Sequence, residues 1–536
     1  MGISISMEIS KATTKEEWSK VYSETLELIK HLPLAEKIIT EIHGVECICL
    51  VPTTERKEKL GWFAHTEQYG WTAVGDYETM CTAEEYYLSR DLIDENVTNV
   101  TKQDAIWGNL PAYGNYDWKD ERCNQTYGIW GAKTQGEPYH IYLLAVAVLI
   151  EARLGNKAFV HGDITRGQIK KAVEIVNEYV DEKIDLPDRC YIDKLFARIN
   201  SFELEDEEKL EILDRIYLGE KDAEFGKFIK NHFGDNIKKK YWKRRFKRFK
   251  INTVGFDDCL RDYIEWGFEL EELGCYLTLK NEKTKNKFDI LINKIMQAEL
   301  HHEQKDCSDA LRIEQSREQP YTVSTVFAQI FLAGAKNPRI DRYIPLPELR
   351  IQLEKAFGSK CDVNGLIDEY LAKEQNTAEQ EDPATNLKTT MEIFGERENI
   401  ERQKYDICDY EDLSQYKDGD TLHPQLAKSI GASRRFLNST LEEDNYKKLM
   451  LQDAKRKCEW LAEHNRCILI RDIDWDKVFT DIENNPDSFG RYYSLIRVEI
   501  NSSKLEQLCI ALFLNDDFYA VSAKLAQEVE EETENN

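Results

Sequence analysis

No Cys-x-x-Cys pair occurs among the thirteen cysteines of this 536-residue chain, and their number is odd. Cys47 and Cys49 form the one close pair. Scattered single thiols argue against a disulfide framework and read as the reduced cysteines of a cytosolic protein. Long apolar runs are missing as well. The longest, 141–150, is ten residues, where a membrane span needs about twenty. The N-terminal stretch has no apolar core of signal-peptide length, so neither export nor membrane insertion is expected, and a cytoplasmic location follows. Asn96 and Asn99 each open an Asn-x-Thr triplet, a pattern without meaning in a chain that stays outside the secretory pathway.

Catalytic signatures are absent too. There is no Gly-x-Ser-x-Gly elbow, no Walker loop, no dinucleotide fingerprint and no fixed repeat period. The sequence therefore assigns no catalytic residue, no metal ligand and no cofactor.

What is present is enough to fold. Hydrophobic residues make up 41% and charged residues 32%, ordinary globular usage. The length predicts two to four domains. The formal charge of −27 repels phosphate at long range, so any contact with nucleic acid or an anionic membrane must be local.

The expected fold is mainly α: an irregular multi-helix array with an aromatic-rich α+β region before it and a small α+β module after it. Residues 1–135 are read as the aromatic-rich region, 136–374 as the helical array, 375–388 as a linker and 389–536 as the C-terminal module with an acidic tail. Thr14 and Glu17 make a capping box that opens a helix over 14–30. A second helix is predicted near 35–43 and a strand over 46–52. The stretch 61–130 carries Trp62, Trp71, Trp107, Trp118 and Trp130 among many tyrosines, glycines and asparagines, with one helix predicted at 82–94. A helix over 138–154 is apolar all round and should be buried on every side. Thr165 and Gln168 cap the next helix. Helical patterns then recur at 188–200, 205–217, 222–233, 237–250, 256–272, 284–302, 323–335, 346–358 and 362–374. Segment 375–386 lacks apolar periodicity. Beyond it, helices are predicted at 389–403, 441–464 and 503–512, strands at 467–471 and 493–500, and a frayed tail from 528.

Three strings invite a chemical reading and fail it. The segment 160–168, with His161, Gly162 and Asp163, resembles in three letters the catalytic loop of aminoglycoside-phosphotransferase-type kinases. Gln168 stands where that family has asparagine, and an amphipathic helix starts at once, so the string reads as a strand, a turn and a capped helix. Pro187-Asp188 with Glu207, Glu208 and Lys209 satisfies the letters of a nuclease motif, but on helical patterns rather than paired strands. Glu299, His301, His302, Glu303 and Cys307 offer zinc-type donors. Adjacent histidines on a helix point about 100° apart, so these read as solvated polar residues at a helix end.

The strongest local signal is physical. Nine of the thirteen residues 238–250 are basic: Lys238, Lys239, Lys240, Lys243, Arg244, Arg245, Lys247, Arg248 and Lys250. Removing these nine from −27 leaves −36 on the other 523 residues. Trp242, Phe246 and Phe249 fall at i, i+4 and i+7 and should form an apolar stripe. Such a helix can contact nucleic acid, lie on an anionic membrane, or dock into the core of its own protein. The aromatic stretch offers either a recognition surface or the filling of a loop-rich core.

The function expected from these features is that of a non-enzymatic interaction protein, an inhibitor, immunity factor or defence-complex component, with a protein partner. Its partner-binding candidates are the basic residues of 238–250 with Trp242, and the five N-terminal tryptophans. One alternative is a hydrolase or transferase with a dispersed site near Trp62, Trp71, His65, Asp76 and Glu78. The other is a nucleic-acid-binding subunit using 238–250.

Overall fold

A computed structural model of the chain describes residues 2–59, 66–92, 103–113, 122, 125–277, 287–303, 340, 342–377, 404–465, 468–496 and 503–534. Two compact units result, and each is built from two separate stretches: Met1–His31 with Leu88–Lys388, and Leu32–Tyr87 with Thr389–Asn536. The boundary expected near 135 falls inside the first unit. The mainly α character holds, with strands concentrated in the N-terminal region.

The chain opens with β1 (Ser4–Ser10) and α1 (Lys15–Ile29), crosses into the second unit for β2 (Leu34–Ile42), β3 (Val45–Pro52), β4 (Arg56–Glu58) and β5 (Gln68–Asp76), and returns through β6 (Thr82–Ser89). The capping box of α1 forms as expected: Thr14 Oγ1 accepts from the Glu17 amide, and the Glu17 carboxylate accepts from the Thr14 amide. The predicted helix at 35–43 is instead β2. Its β-branched Ile38, Ile39 and Thr40 pair antiparallel with β3 around His43 and Gly44, whose φ values of 50° and 75° make the tight hairpin turn that suits strand twist. The predicted helix at 82–94 is likewise the strand β6, because pairing with β5 overrides local helix preference.

In the first unit, α2 (Ala105–Tyr113) and β7 (Thr126–Lys133) precede α3 (Tyr139–Leu154), β8 (Ala158–Gly162) and α4 (Arg166–Tyr179). β1 is the middle strand of a three-stranded sheet, antiparallel to both β7 and β8. Thirteen of the sixteen residues of α3 are buried, as its all-round apolarity requires, and it packs on α1, α4 and β8. The 160–168 string forms the end of β8, a turn and α4, with the Thr165–Gln168 capping box in place.

A helical array follows: α5 (Ile192–Asn200), α6 (Asp206–Ile216), α7 (Ala223–His232), α8 (Asp235–Lys247), α9 (Val254–Glu265), α10 (Leu270–Tyr276), α11 (Lys287–Gln297), α12 (Leu346–Phe357) and α13 (Val363–Thr377). The single helix expected over 256–272 breaks between α9 and α10 at Gly267, φ 72°. The residues of 375–377, read as linker, still belong to α13, while 378–388 and the helix expected at 323–335 lie outside the described residues. Leu210, Leu213, Trp242, Tyr263, Ile264, Trp266, Ile292 and Leu353 are among the side chains of one continuous core.

The second unit sets the strand order β3-β2-β5-β4, with β6 on β5, against helices α14 (Pro424–Ser439), α15 (Asp444–Met450), α16 (Ala454–His464), α17 (Asp472–Asn484), α18 (Phe489–Leu495), α19 (Ser503–Leu514) and α20 (Asp516–Glu534). Its core joins Cys47, Cys49 and Leu50 of β3 to Trp460, Trp475, Phe479 and Tyr493. The strand expected at 493–500 begins as the end of α18, and 497–500 lie outside the described residues. Of the strand expected at 467–471, Cys467 is outside them and one bridge, Leu50 to Arg471, is made. The helix expected at 389–403 is also outside them. The helix expected at 441–464 divides where Asp453 caps α16. Residues 528–534 of the tail expected to fray belong to α20, which packs on α14 so closely that a Cβ on Gly431 would lie 2.5 Å from the Leu525 carbonyl oxygen, while 535–536 lie outside the described residues. No described helix is long and apolar enough to cross a membrane.

Candidate interaction surface

The basic segment forms α8, which ends at Lys247, two residues before Phe249. The expected stripe therefore loses Phe249, which is 43% exposed, and gains Tyr241. Tyr241, Trp242 and Phe246 are buried in the core of the first unit. Trp242 meets Tyr263, Trp266 and Phe268 with ring centroids 5.0 to 5.4 Å apart, within the range of favourable edge-to-face contacts.

The arginines flank this aromatic face and are held by acids of neighbouring helices. Arg245 lies 2.6 Å from Asp262 of α9 and 3.6 Å from Asp214 of α6, with its guanidinium 5.2 Å from the Trp242 ring centroid. The Tyr241 hydroxyl donates to Asp214 at 2.5 Å, and Lys221 lies 3.1 Å from the same carboxylate. Burial would raise the Asp214 carboxyl, but Lys221, Arg245 and Tyr241 outweigh it and hold its pKa down to about 2. Arg244 pairs with Glu211 and lies 3.3 Å from Glu207, and Arg248 is 3.6 Å from Glu211. Lys238 bonds Asp235 at 2.8 Å. Lys238 and Asp235 both lie on α8, and the other pairs fasten α8 to α6 and α9.

The remaining lysines face solvent. Lys239, Lys240, Lys243, Lys247 and Lys250 are exposed and, among the described residues, form no ion pair. On a helix of 3.6 residues per turn, positions 239, 240, 243 and 247 lie within about 100° of arc and span roughly 12 Å along the axis. Lys250 and the exposed Phe249 follow at the end of that row. One thirteen-residue string thus separates into an aromatic anchor, an arginine clamp and a lysine face.

The tryptophans fare differently. Trp71 on β5 is fully buried and Trp130 on β7 is 5% exposed, so both are core. Trp107 on α2 is half-buried, 5.5 Å from the Phe202 ring centroid. Trp62 and Trp118 lie outside the described residues, as does His65. Asp76 is 2% exposed, and its carboxylate accepts from the Glu78 and Thr79 amides and the Thr79 hydroxyl at 2.7 to 3.1 Å. It holds the turn between β5 and β6. The Pro187, Asp188 and Glu207–Lys209 letters sit on separate helical segments.

His301 and His302, read from the sequence as solvated residues at a helix end, meet Glu374, which the sequence does not single out. The two imidazoles and the carboxylate bring one potential ligand atom each to within 4.8 Å of one another. No local signal points to Glu374, which is more than seventy positions away from both histidines.

No protein-family model, no curated protein and no solved structure matches this chain.

Proposed function

We propose that this chain is a non-catalytic interaction protein, of the class that includes inhibitors, immunity factors and defence-complex components, and that the lysine face of α8 holds an acidic surface of a protein partner. The observation that carries this reading is the row of five exposed lysines that, among the described residues, form no ion pair, in a molecule whose net charge is −27. Like charges three and four residues apart on a helix cost roughly 0.2–0.5 kcal/mol per pair, and a partner with carboxylates opposite them removes that cost while fixing register. A protein is favoured over a polyphosphate because the arginine fork of Arg245 and the rings of Trp242 and Phe246, the groups best suited to phosphate and base contact, are turned into the core. The lysine row also lies in a molecule whose overall charge opposes a polyanion at long range.

A second reading, a nucleic-acid-binding subunit, is favoured by Phe249, an exposed ring at the end of the lysine row. Capture from an extract of the native host at physiological ionic strength separates the two. The wild-type chain should retain one stoichiometric protein, and Lys239→Glu/Lys243→Glu/Lys247→Glu should lose it while keeping its thermal midpoint. Nucleic acid retained by the wild type and released steeply by salt moves the assignment to the second reading. Equal capture by both forms removes the lysine face from either.

A further inference from the structure

Glu299 adopts a left-handed backbone, φ 53°, a region that non-glycine residues rarely enter. By that point α11 has ended. The Ala298 and Glu299 amides reach back to Ile295 and Met296, and the His302 amide donates to the Glu299 carbonyl at 3.1 Å. The chain turns here, which corrects the sequence expectation that 284–302 is one helix with diverging histidines. The two imidazoles converge, centroids 4.1 Å apart, and both face Glu374 in the last turns of α13. His301 Nε2 lies 3.5 Å from one carboxylate oxygen and His302 Nε2 lies 3.3 Å from the other.

We propose that His301, His302 and Glu374 form a binding site for a zinc-class divalent transition-metal ion. Ligand atoms held about 2.0–2.2 Å from a tetrahedral zinc are separated from one another by roughly 3.3–3.6 Å. The two nitrogen-to-oxygen distances, 3.3 and 3.5 Å, each to a different oxygen of the carboxylate, have that spacing, and one ligand atom from each of the three residues lies within 4.8 Å of the others. Two imidazoles and a carboxylate select zinc, cobalt, nickel or copper over magnesium or calcium, which take oxygen donors.

Among the described residues, the contacts that hold this arrangement together are the two imidazole–carboxylate pairs themselves. The His301 side chain is only 5% exposed, and its Nδ1 is buried without a hydrogen-bond partner. His302 is 44% exposed and opens the site to solvent, so the three protein ligands leave a fourth position for water. The ion fastens the turn after α11 to the end of α13, two helices that already pack together.

The test is cobalt(II) and zinc(II) binding to the full chain after chelator treatment, with His302→Gln and Glu374→Gln beside the wild type and circular dichroism as the folding control. The wild type should take up one equivalent of cobalt with the intense visible bands of four-coordination. Zinc should raise its thermal midpoint. Each variant should lose the cobalt spectrum and the zinc-dependent stabilisation, with affinity falling by more than the roughly 10–100-fold that outer-sphere changes cost. A folded wild type that takes up no metal overturns the proposal. So does binding of unchanged strength in both folded variants, or a cobalt spectrum dominated by thiolate charge transfer, which would place the ion on cysteine.

Discussion

The Arg245 guanidinium lies 2.6 Å from the Asp262 carboxylate and joins α8 to α9, whereas Lys243, two residues before it, points to solvent. Both are cations of one basic run, and they should behave oppositely. Replacing Arg245 by methionine takes one cation from Asp262, which keeps Arg261, and one from Asp214, which keeps Lys221 and the Tyr241 hydroxyl, in a largely buried setting, and should cost about 3 kcal/mol. Lys243→Gln should stay within about 0.5 kcal/mol of the wild type. Denaturant unfolding of the two variants checks the contrast, and equal losses would mean that α8 is not divided as described.

His140 has no exposed surface, its Nδ1 lies 2.7 Å from the Thr134 hydroxyl, and burial pushes its pKa down to about 4. An unfolded imidazole takes its proton near pH 6.5. Below that pH the unfolded chain binds a proton that the folded chain refuses, so stability from this group is full above pH 6.5 and falls as pH drops toward 4. The loss is about 3 kcal/mol. His161, half-buried and also lowered to about 4, adds to the same trend, so the decisive quantity is the difference between wild type and His140→Gln. Denaturant midpoints at pH 7, 5.5 and 4.5 should converge as the pH falls, and parallel curves would discard the assignment.

Gly431 on α14 faces the Leu525 carbonyl of α20. Gly431→Ala should force the two helices apart and cost about 1–3 kcal/mol, even though alanine is the better helix former. A variant as stable as the wild type would show that α20 does not pack there.

Thr165 Oγ1 accepts from the Gln168 amide at 3.1 Å, and the Gln168 side chain returns a bond to the Thr165 amide at 2.9 Å. Thr165→Ala should cost about 1 kcal/mol, and Thr165→Ser should cost less. Thermal unfolding of the pair distinguishes a lost cap from a lost methyl contact.

Features that rest on neighbouring residues were legible in the sequence. Both capping boxes, the all-round apolar α3 and the strand β3 follow from spacing alone. Features that depend on distant partners were not. Ile38 and Ile39 fit a helix until the His43-Gly44 turn places them beside β3. Tyr86 and Leu88 fit a helix until their strand, β6, pairs with β5. For the basic segment, the docking of Trp242 and Phe246 was foreseeable from the stripe, but the division between arginines and lysines depends on where Glu207, Glu211, Asp214 and Asp262 lie on other helices. His301 and His302 were visible as donors, and the backbone turn at Glu299 that aims them at Glu374 was not.

The indole nitrogen of Trp475 donates to the carbonyl of Ile48, a residue 427 positions earlier in the chain. A ribosome adding about 5–20 residues per second needs roughly 20 to 90 s to travel that distance. Throughout that interval the β2–β3 hairpin is outside the exit tunnel while the helices that cover Cys47, Cys49 and Leu50 do not yet exist. The second unit is therefore completed last, after all of the first has been made, and its early strands spend the wait with an apolar face and an open edge available to other chains. Chaperone demand during synthesis should be set by this hairpin and by translation speed, more than by the final stability of either unit.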